Sequence, residues 1–137
     1  MKYLLDTNVI SEMRKSNGDP GVLACINAIQ EDDLFISVIS IGEISKGIEK
    51  LPDGKKKAEL SIWLNDQIPA AFKNRIIPLD FDCMLEWGRV RARAKRTFPV
   101  IDSLLAATAL ARRLIILTRN IRDFDGIGGL SLLNPWE

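Results

Sequence analysis

Four acidic residues stand where their carboxylates could act together: Asp6, Glu43, Asp102 and Asp123. The chain contains no histidine. Histidine-based nucleophilic catalysis, histidine acid–base chemistry and the usual Cys/His zinc sites are therefore excluded. Any chemistry must run on carboxylates, lysine, hydroxyl groups or a metal ion held by oxygen atoms.

Short apolar runs alternate with helical patterns along the chain. The runs predict five strands, within residues 2–6, 32–40, 75–80, 114–120 and 130–135. Apolar residues spaced by three and four predict helices at residues 7–15, 21–30, 41–51, 58–72 (with a break or kink near Pro69), 81–96 and 100–113. Pro78 cannot donate to a strand ladder, so the third strand should lie at or near an edge. This alternation predicts an α/β domain with a mainly parallel sheet of about five strands, flanked by helices.

The predicted sheet places the acids on one rim. Asp6 closes the first strand, Glu43 follows the second, and Asp123 follows the fourth. Asp102 stands at the start of the helix that leads into the fourth strand. Ligands of open parallel sheets bind outside the carboxyl ends of the strands, so all four carboxylates should meet there.

Converging carboxylates need a positive partner. Two like charges 4 Å apart repel by about 4 kcal/mol at an effective dielectric constant near 20. Hard oxygen ligands without histidine or thiolate suit Mg²⁺ or Mn²⁺. Such an ion can activate water and neutralise a phosphoryl group, which is the chemistry of metal-assisted phosphodiester hydrolysis.

Each acid also has a purely structural interpretation. Ser40 and Glu43 have the spacing of a capping box, Asp102 could cap its helix, and Asp123 could belong to a turn. Asp6 ends an apolar strand and has no obvious cap to make until the chain turns. It is therefore the strongest single indication of a functional site.

Several motifs make the chain recognisable at this point, in order "LLDTNVISEMRK", "ISVISIGEISKGIEKLPDGKKK", "IDSLLAATAL" and "ILTRNIRDFDGIGGLSLLNPW". Together they resemble the four motif regions of the PIN-domain ribonucleases, especially the VapC- and FitB-type toxins of bacterial toxin–antitoxin pairs. The resemblance spans essentially the whole chain. It implies a single PIN domain over residues 1–137 and a Mg²⁺-dependent endoribonuclease, with Mn²⁺ as an alternative ion.

The resemblance also assigns the site. It implies that Asp6, Glu43 and Asp102 bind the metal ion and position water. Some relatives carry an aspartate where this chain has Asn120, so either Asp123 supplies the fourth charge or the fourth ligand is neutral. The number of bound ions stays open for the same reason. Auxiliary roles are expected for Thr7, Thr118 and Asn120.

The expected partners also come from the resemblance. It implies an RNA substrate, a homodimer, and a small antitoxin of the VapB or FitA type that occupies the acidic groove. The chain of 137 residues has no apolar run long enough to cross a bilayer, and its N-terminus has too short an apolar stretch for a signal peptide. We therefore expect no membrane association and a cytoplasmic location. The alternative function is a PIN-like scaffold that binds RNA or protein without cutting.

A net charge of +1 says nothing about nucleic acid. The basic residues are nevertheless concentrated between Met84 and Phe98, where one acid, Glu86, stands among Arg89, Arg91, Arg93, Lys95 and Arg96. This segment is either a solvated helix face or a surface that contacts phosphates. If it contacts phosphates, Arg89, Arg93 and Arg96 are the residues expected to touch RNA, because their spacing predicts one helix face.

Overall fold

The computed structural model describes all 137 residues, Met1–Glu137. Five strands are present: β1 (Tyr3–Leu5), β2 (Leu34–Ser37), β3 (Ile76–Ile77), β4 (Ile115–Leu117) and β5 (Ser131–Leu133). The α-helices are α1 (Thr7–Arg14), α2 (Pro20–Asn27), α3 (Val38–Glu49), α4 (Lys55–Ile62), α5 (Ile68–Ala71), α6 (Phe81–Arg93) and α7 (Val100–Arg112). None of the helices is both long and apolar enough to span a membrane.

All five strands form one parallel sheet in the order β3-β2-β1-β4-β5. The predicted α/β architecture is therefore confirmed, and β3, which precedes Pro78, lies at an edge as expected. β1 is central and pairs with β2 on one side and β4 on the other. Asp6 continues the ladder beyond β1, since its N–H donates to the Leu117 carbonyl at 2.9 Å.

Helices cover both faces of the sheet, as an all-parallel sheet requires. Successive residues of β1 point to opposite faces. Leu5 joins a core cluster with α1, α2 and α3, whereas Leu4 joins a second cluster that includes Leu105 of α7. Because Leu4 and Leu5 are fully buried, β1 has no freedom to slip by a residue. The position of Asp6 is fixed with it.

Several predicted helices differ from the structure in their bounds, whereas the irregularity expected near Pro69 is confirmed. The helix expected over residues 81–96 ends at Arg93, because Ala94 adopts an extended backbone. The predicted irregularity near Pro69 is present as a π-helical segment, Trp63–Gln67, immediately before α5. A proline lacks the N–H that a regular helix needs, and a wider turn before it accommodates that loss.

Polar contacts hold α6 against α7 near the start of α7. Trp87 Nε1 donates to Ser103 Oγ at 3.0 Å, and Ser103 Oγ donates to the Val100 carbonyl at 2.7 Å. Arg91 Nη1 donates to the Phe98 carbonyl at 2.8 Å, in the segment that connects the two helices. These contacts fix the first turn of α7, where Asp102 lies.

The other end of α7 contains a backbone conformation that glycine would adopt more easily. Arg113 follows the helix in the left-handed region, with φ 57° and ψ 49°, and its side chain is exposed. We expect Arg113→Gly to raise the free energy of unfolding by about 0.5–1 kcal/mol, because glycine has no Cβ to crowd the backbone there. Denaturant unfolding would measure it. Arg113→Ala removes the same charge but keeps a Cβ, so an equal gain in that control would contradict the explanation.

Candidate active site

Asp6 lies at the carboxyl end of the central strand and both of its oxygens are held. Its Oδ1 accepts a hydrogen bond from the Thr7 N–H at 2.7 Å, and its Oδ2 accepts one from the Thr118 hydroxyl at 2.8 Å. Asp6 is the N-cap of α1, so the expectation that it makes no cap was wrong: the helix begins at Thr7. Each oxygen keeps a further lone pair for another ligand.

Thr7 connects Asp6 to Glu43. The Thr7 hydroxyl oxygen lies 2.8 Å from Glu43 Oε1 and 3.0 Å from Ser40 Oγ. A hydroxyl has one proton and an ionised carboxylate only accepts, so Thr7 donates to Glu43 and accepts from Ser40. These hydrogen bonds join the first turns of α1 and α3 at the carboxyl ends of the strands.

The capping-box interpretation of Ser40 and Glu43 was wrong. The N-cap of α3 is Ser37, whose hydroxyl accepts from the Ile39 N–H at 3.0 Å. Ser40 is a buried residue of the first turn, and Glu43 lies one turn later on the same face. Sequence reasoning missed Ser40 as a partner of Thr7, although its three-residue spacing from Glu43 was the available signal.

Asp102 does not cap α7. The helix begins at Val100 after Pro99, no side chain caps it, and Asp102 lies in the first turn. Burial, together with the negative charges of Asp123, Asp6 and Glu43, raises the pKa of Asp102 to about 6. A carboxylate in the first turn of a helix is normally stabilised by the helix dipole. Burial and like charge outweigh that effect here, and capping does not explain Asp102.

Asp123 brings the fourth carboxylate to the site. It lies in a 3₁₀ segment, Ile121–Phe124, and its N–H donates to the Asn120 carbonyl at 3.0 Å. Its charge raises the pKa of both Asp6 and Asp102. Asn120 donates its own N–H to the Thr118 hydroxyl at 3.0 Å. Asp123 therefore adds a fourth negative charge that acts on Asp6 and Asp102, whereas Asn120 contacts Thr118 through its backbone. Which of the two fills the fourth ligand position stays a prediction.

The four carboxylates form one electrostatic unit. Burial raises the pKa of Asp6, the hydrogen bonds from Thr118 and Thr7 oppose that shift, and the charges of Glu43 and Asp123 add to it. Such groups gain from a cation that removes their mutual repulsion. Their oxygen donors suit Mg²⁺ or Mn²⁺, with Asp6, Glu43 and Asp102 as the ligands named from the sequence. No group of three acids, cysteines or histidines is gathered closely enough to hold an ion, so this ligand set stays a prediction.

The basic segment divides into two parts. Arg89 and Arg93 lie on α6 and line a cavity of about 210 Å³ beside the Gly126–Gly128 loop. Arg89 also pairs with Glu86 at 2.5 Å. Arg96 lies beyond the end of α6, so the expectation that it shares their helix face was wrong. Its guanidinium donates to backbone carbonyls instead of facing solvent freely.

Comparisons with a family model, with known sequences and with solved structures all relate this chain to the same group of proteins. The family model described as PIN domain matches residues 3–130. The chain is 36% identical over 137 residues to the VapC ribonuclease Y4jK of Sinorhizobium fredii, covering 98% of this chain and 97% of the relative. It is 32% identical to the toxin FitB of Neisseria gonorrhoeae, covering 98% of both chains. The crystal structure of FitAcB from Neisseria gonorrhoeae superposes with a TM-score of 0.89 at 32% identity, covering 98% of this chain and 99% of the other.

Ionisation of Asp102 should lower the stability of the metal-free protein as the pH rises. Its pKa in the folded chain, about 6, lies above the ordinary value of 3.8, so its protonated form favours folding. That contribution is complete below about pH 4 and is lost as the pH rises through about 6. We expect Asp102→Asn to melt at a higher temperature than the parent at pH 7.5 in metal-free buffer, with a smaller difference at pH 4.5. Differential scanning calorimetry at both pH values measures this.

A matched control exists on the neighbouring helix. Asp82 lies in the first turn of α6 and is exposed. Asp82→Asn also removes one negative charge from the first turn of a helix, but without relieving repulsion among the four acids, so it should give no gain at pH 7.5. A lower melting temperature for Asp102→Asn at pH 7.5 would contradict the repulsion argument.

Proposed function

Because this chain belongs to the PIN-domain family, we propose that it is a Mg²⁺-dependent endoribonuclease and the toxin of a type II toxin–antitoxin pair. Two observations from the comparisons support the toxin role: relatives that match over nearly the whole chain are named a VapC ribonuclease and the toxin FitB. The observation that carries the chemistry is the set of four coupled carboxylates at the carboxyl edge of the sheet.

The proposed reaction is hydrolysis of an RNA phosphodiester bond. A bound Mg²⁺ or Mn²⁺ would supply an activated water and offset charge on the phosphoryl group. Asp6, Glu43 and Asp102 would hold the ion, and Asp123 would add the fourth charge. The Thr118 hydroxyl holds Oδ2 of Asp6 by a hydrogen bond, and the Thr7 hydroxyl fixes the orientation of Glu43 in the same way. These threonines orient the carboxylates before any ligand arrives, which lowers the cost of assembling the site.

The proposed partners are RNA, a second copy of the chain, and an antitoxin. Solved relatives include a FitA–FitB complex, FitAcB. We propose that a small antitoxin of the VapB or FitA type covers the acid rim and that the toxin works as a homodimer in the cytoplasm, where RNA is available. A PIN-like scaffold that binds without cutting is the alternative, and the same cleavage assay decides between them.

The metal requirement gives the first test. We expect the purified protein to cleave RNA with Mg²⁺ or Mn²⁺ and to lose that activity in excess EDTA, because no histidine can replace the ion in acid–base catalysis. Asp6→Asn, Glu43→Gln and Asp102→Asn should each reduce kcat by about 100-fold or more, since metal stabilisation of the transition state is worth several kcal/mol. Asp102→Asn should also be harmless when expressed without antitoxin.

Asp82→Asn serves as the control for removing a carboxylate, and it should cleave at the parental rate. Unchanged cleavage in EDTA, with contaminating nucleases excluded, would overturn the metal-dependent reaction. A parent that binds RNA but never cuts it, with or without metal, would favour the scaffold.

A second test concerns Arg89 and Arg93. Both line the cavity beside the Gly126–Gly128 loop, next to the segment that carries Asp123. If they contact phosphates, Arg89→Met and Arg93→Met should each reduce the slope of log affinity against log salt by about 0.7 for single-stranded RNA. Fluorescence anisotropy in EDTA measures binding without cleavage. Lys73→Met removes one exposed charge from the end of α5 as a control, and an unchanged slope for both arginine variants would favour a solvated face.

A further inference from the structure

Arg96 makes an unusual set of contacts for a residue in an exposed connection. It lies between α6 and α7, three residues beyond the end of α6. Its Nε donates to the Asp125 carbonyl at 3.1 Å, and its Nη2 donates to the carbonyls of Arg122 at 3.0 Å and Asp123 at 3.1 Å. One guanidinium thus serves three carbonyls of a four-residue stretch.

The other side of the guanidinium is also held. It stacks over the Phe98 ring with 3.9 Å between its central carbon and the ring centroid, and Phe98 is only 3% exposed. The Phe98 carbonyl accepts from Arg91 Nη1 at 2.8 Å, which ties the connection back to α6. An arginine fork can make in-plane hydrogen bonds while its face packs on an aromatic ring. The guanidinium of Arg96 is therefore held by hydrogen bonds at its N–H groups and by the buried Phe98 ring on its face.

The segment that Arg96 grips has little structure of its own. The 3₁₀ segment Ile121–Phe124 is a single short turn; Arg96 bonds to the carbonyls of Arg122 and Asp123 within it and of Asp125 just after it. The carbonyls at the end of a helical turn have few intrahelical partners. The chain then enters Gly126, whose φ of 94° is open to few other residues. Besides Arg96, the buried Phe124 side chain anchors this stretch in the core.

We propose that Arg96 is a positioning residue that holds the Asp123 backbone, so that the fourth carboxylate stays at the site formed with Asp6 and Asp102. This inference rests on the proposed metal-dependent function. It replaces the phosphate contact expected for Arg96 from the sequence, because three of the guanidinium N–H contacts are made within the chain. Lysine cannot take over the role, since a single ammonium group cannot match a fork that reaches three carbonyls while stacking on Phe98.

The test measures metal affinity without RNA. Mn²⁺ binding is followed by isothermal titration calorimetry for the parent, Arg96→Met and Arg96→Lys, and for Lys95→Met as the charge-matched neighbour. We expect both Arg96 variants to weaken Mn²⁺ binding by about tenfold or more, the effect typical of residues that support metal ligands. Lys95→Met should bind Mn²⁺ like the parent. Arg96→Lys keeps the charge and most of the side chain, so it provides the result if Arg96→Met fails to fold.

Kinetics and a double-mutant cycle separate positioning from the other two roles. We expect kcat to fall in both Arg96 variants while RNA affinity and its salt slope in EDTA stay at the parental values. Asp123→Asn should itself weaken Mn²⁺ binding, and adding Arg96→Met to it should cause no further loss, because both changes remove the same interaction.

Four outcomes would overturn the proposal. A flattened salt slope would make Arg96 a phosphate contact, and unchanged Mn²⁺ affinity with a lowered melting temperature would make it a residue of the fold only. Full additivity with Asp123→Asn, or an Asp123→Asn variant that binds Mn²⁺ like the parent, would show that Arg96 does not act through Asp123. A parent that binds Mn²⁺ but cuts no RNA would refute the proposed nuclease while leaving the Arg96 test intact.

Discussion

The buried carboxylate of Asp6 is the constraint on which the rest of the site depends. A charged group at the end of a central strand is costly to bury unless hydrogen bonds compensate it. Asp6 receives one such bond from the first N–H of α1 and another from the Thr118 hydroxyl beyond β4. The same carboxylate therefore starts a helix, links two adjacent strand ends, and leaves lone pairs open toward the rim. Changing it alters local folding and chemistry together.

The carboxylates around Asp6 repel one another, so residues outside this acidic group must hold them in place. The charge of Asp123 raises the pKa of both Asp6 and Asp102, and the charge of Glu43 does the same, so the acids cannot hold one another in place. Their positions come from neutral contacts further back. Thr7 holds Glu43 and is itself bonded to Ser40, while Trp87 and Ser103 fix the turn that carries Asp102. In the proposed scheme Arg96 does the same for Asp123 through backbone carbonyls. In the proposed scheme, these contacts keep the mutually repelling carboxylates in position to bind a cation.

The four carboxylates have opposite effects on the stability of the metal-free protein and on the proposed catalysis. Stability in the absence of metal favours fewer charges, because each added carboxylate repels the others. Metal-assisted catalysis favours more, because the ion and the phosphoryl group need compensating ligands. In the proposed function the fold meets the second need at a cost to the first, which is a common compromise at functional sites. The frame that bears the cost is the parallel sheet, whose two buried faces hold β1 in register.

The sequence by itself determined the α/β alternation, the edge position of β3, and the rim where Asp6, Glu43 and Asp102 meet, because hydrophobic periodicity and strand ends are local properties. It placed the starts of α1 and α7 correctly, but it began α3 at residue 41 although the helix starts at Val38. It also identified the wrong caps, because backbone geometry and not spacing made Asp6, Ser37 and Pro99 the N-cap residues. Only the tertiary structure showed that Asp123 acts electrostatically on Asp6 and Asp102, and only it showed that Arg96 bonds to the backbone of the segment that carries Asp123. Those contacts join residues 26 to 29 positions apart, and a linear pattern carries no information on which carbonyl a distant guanidinium will reach.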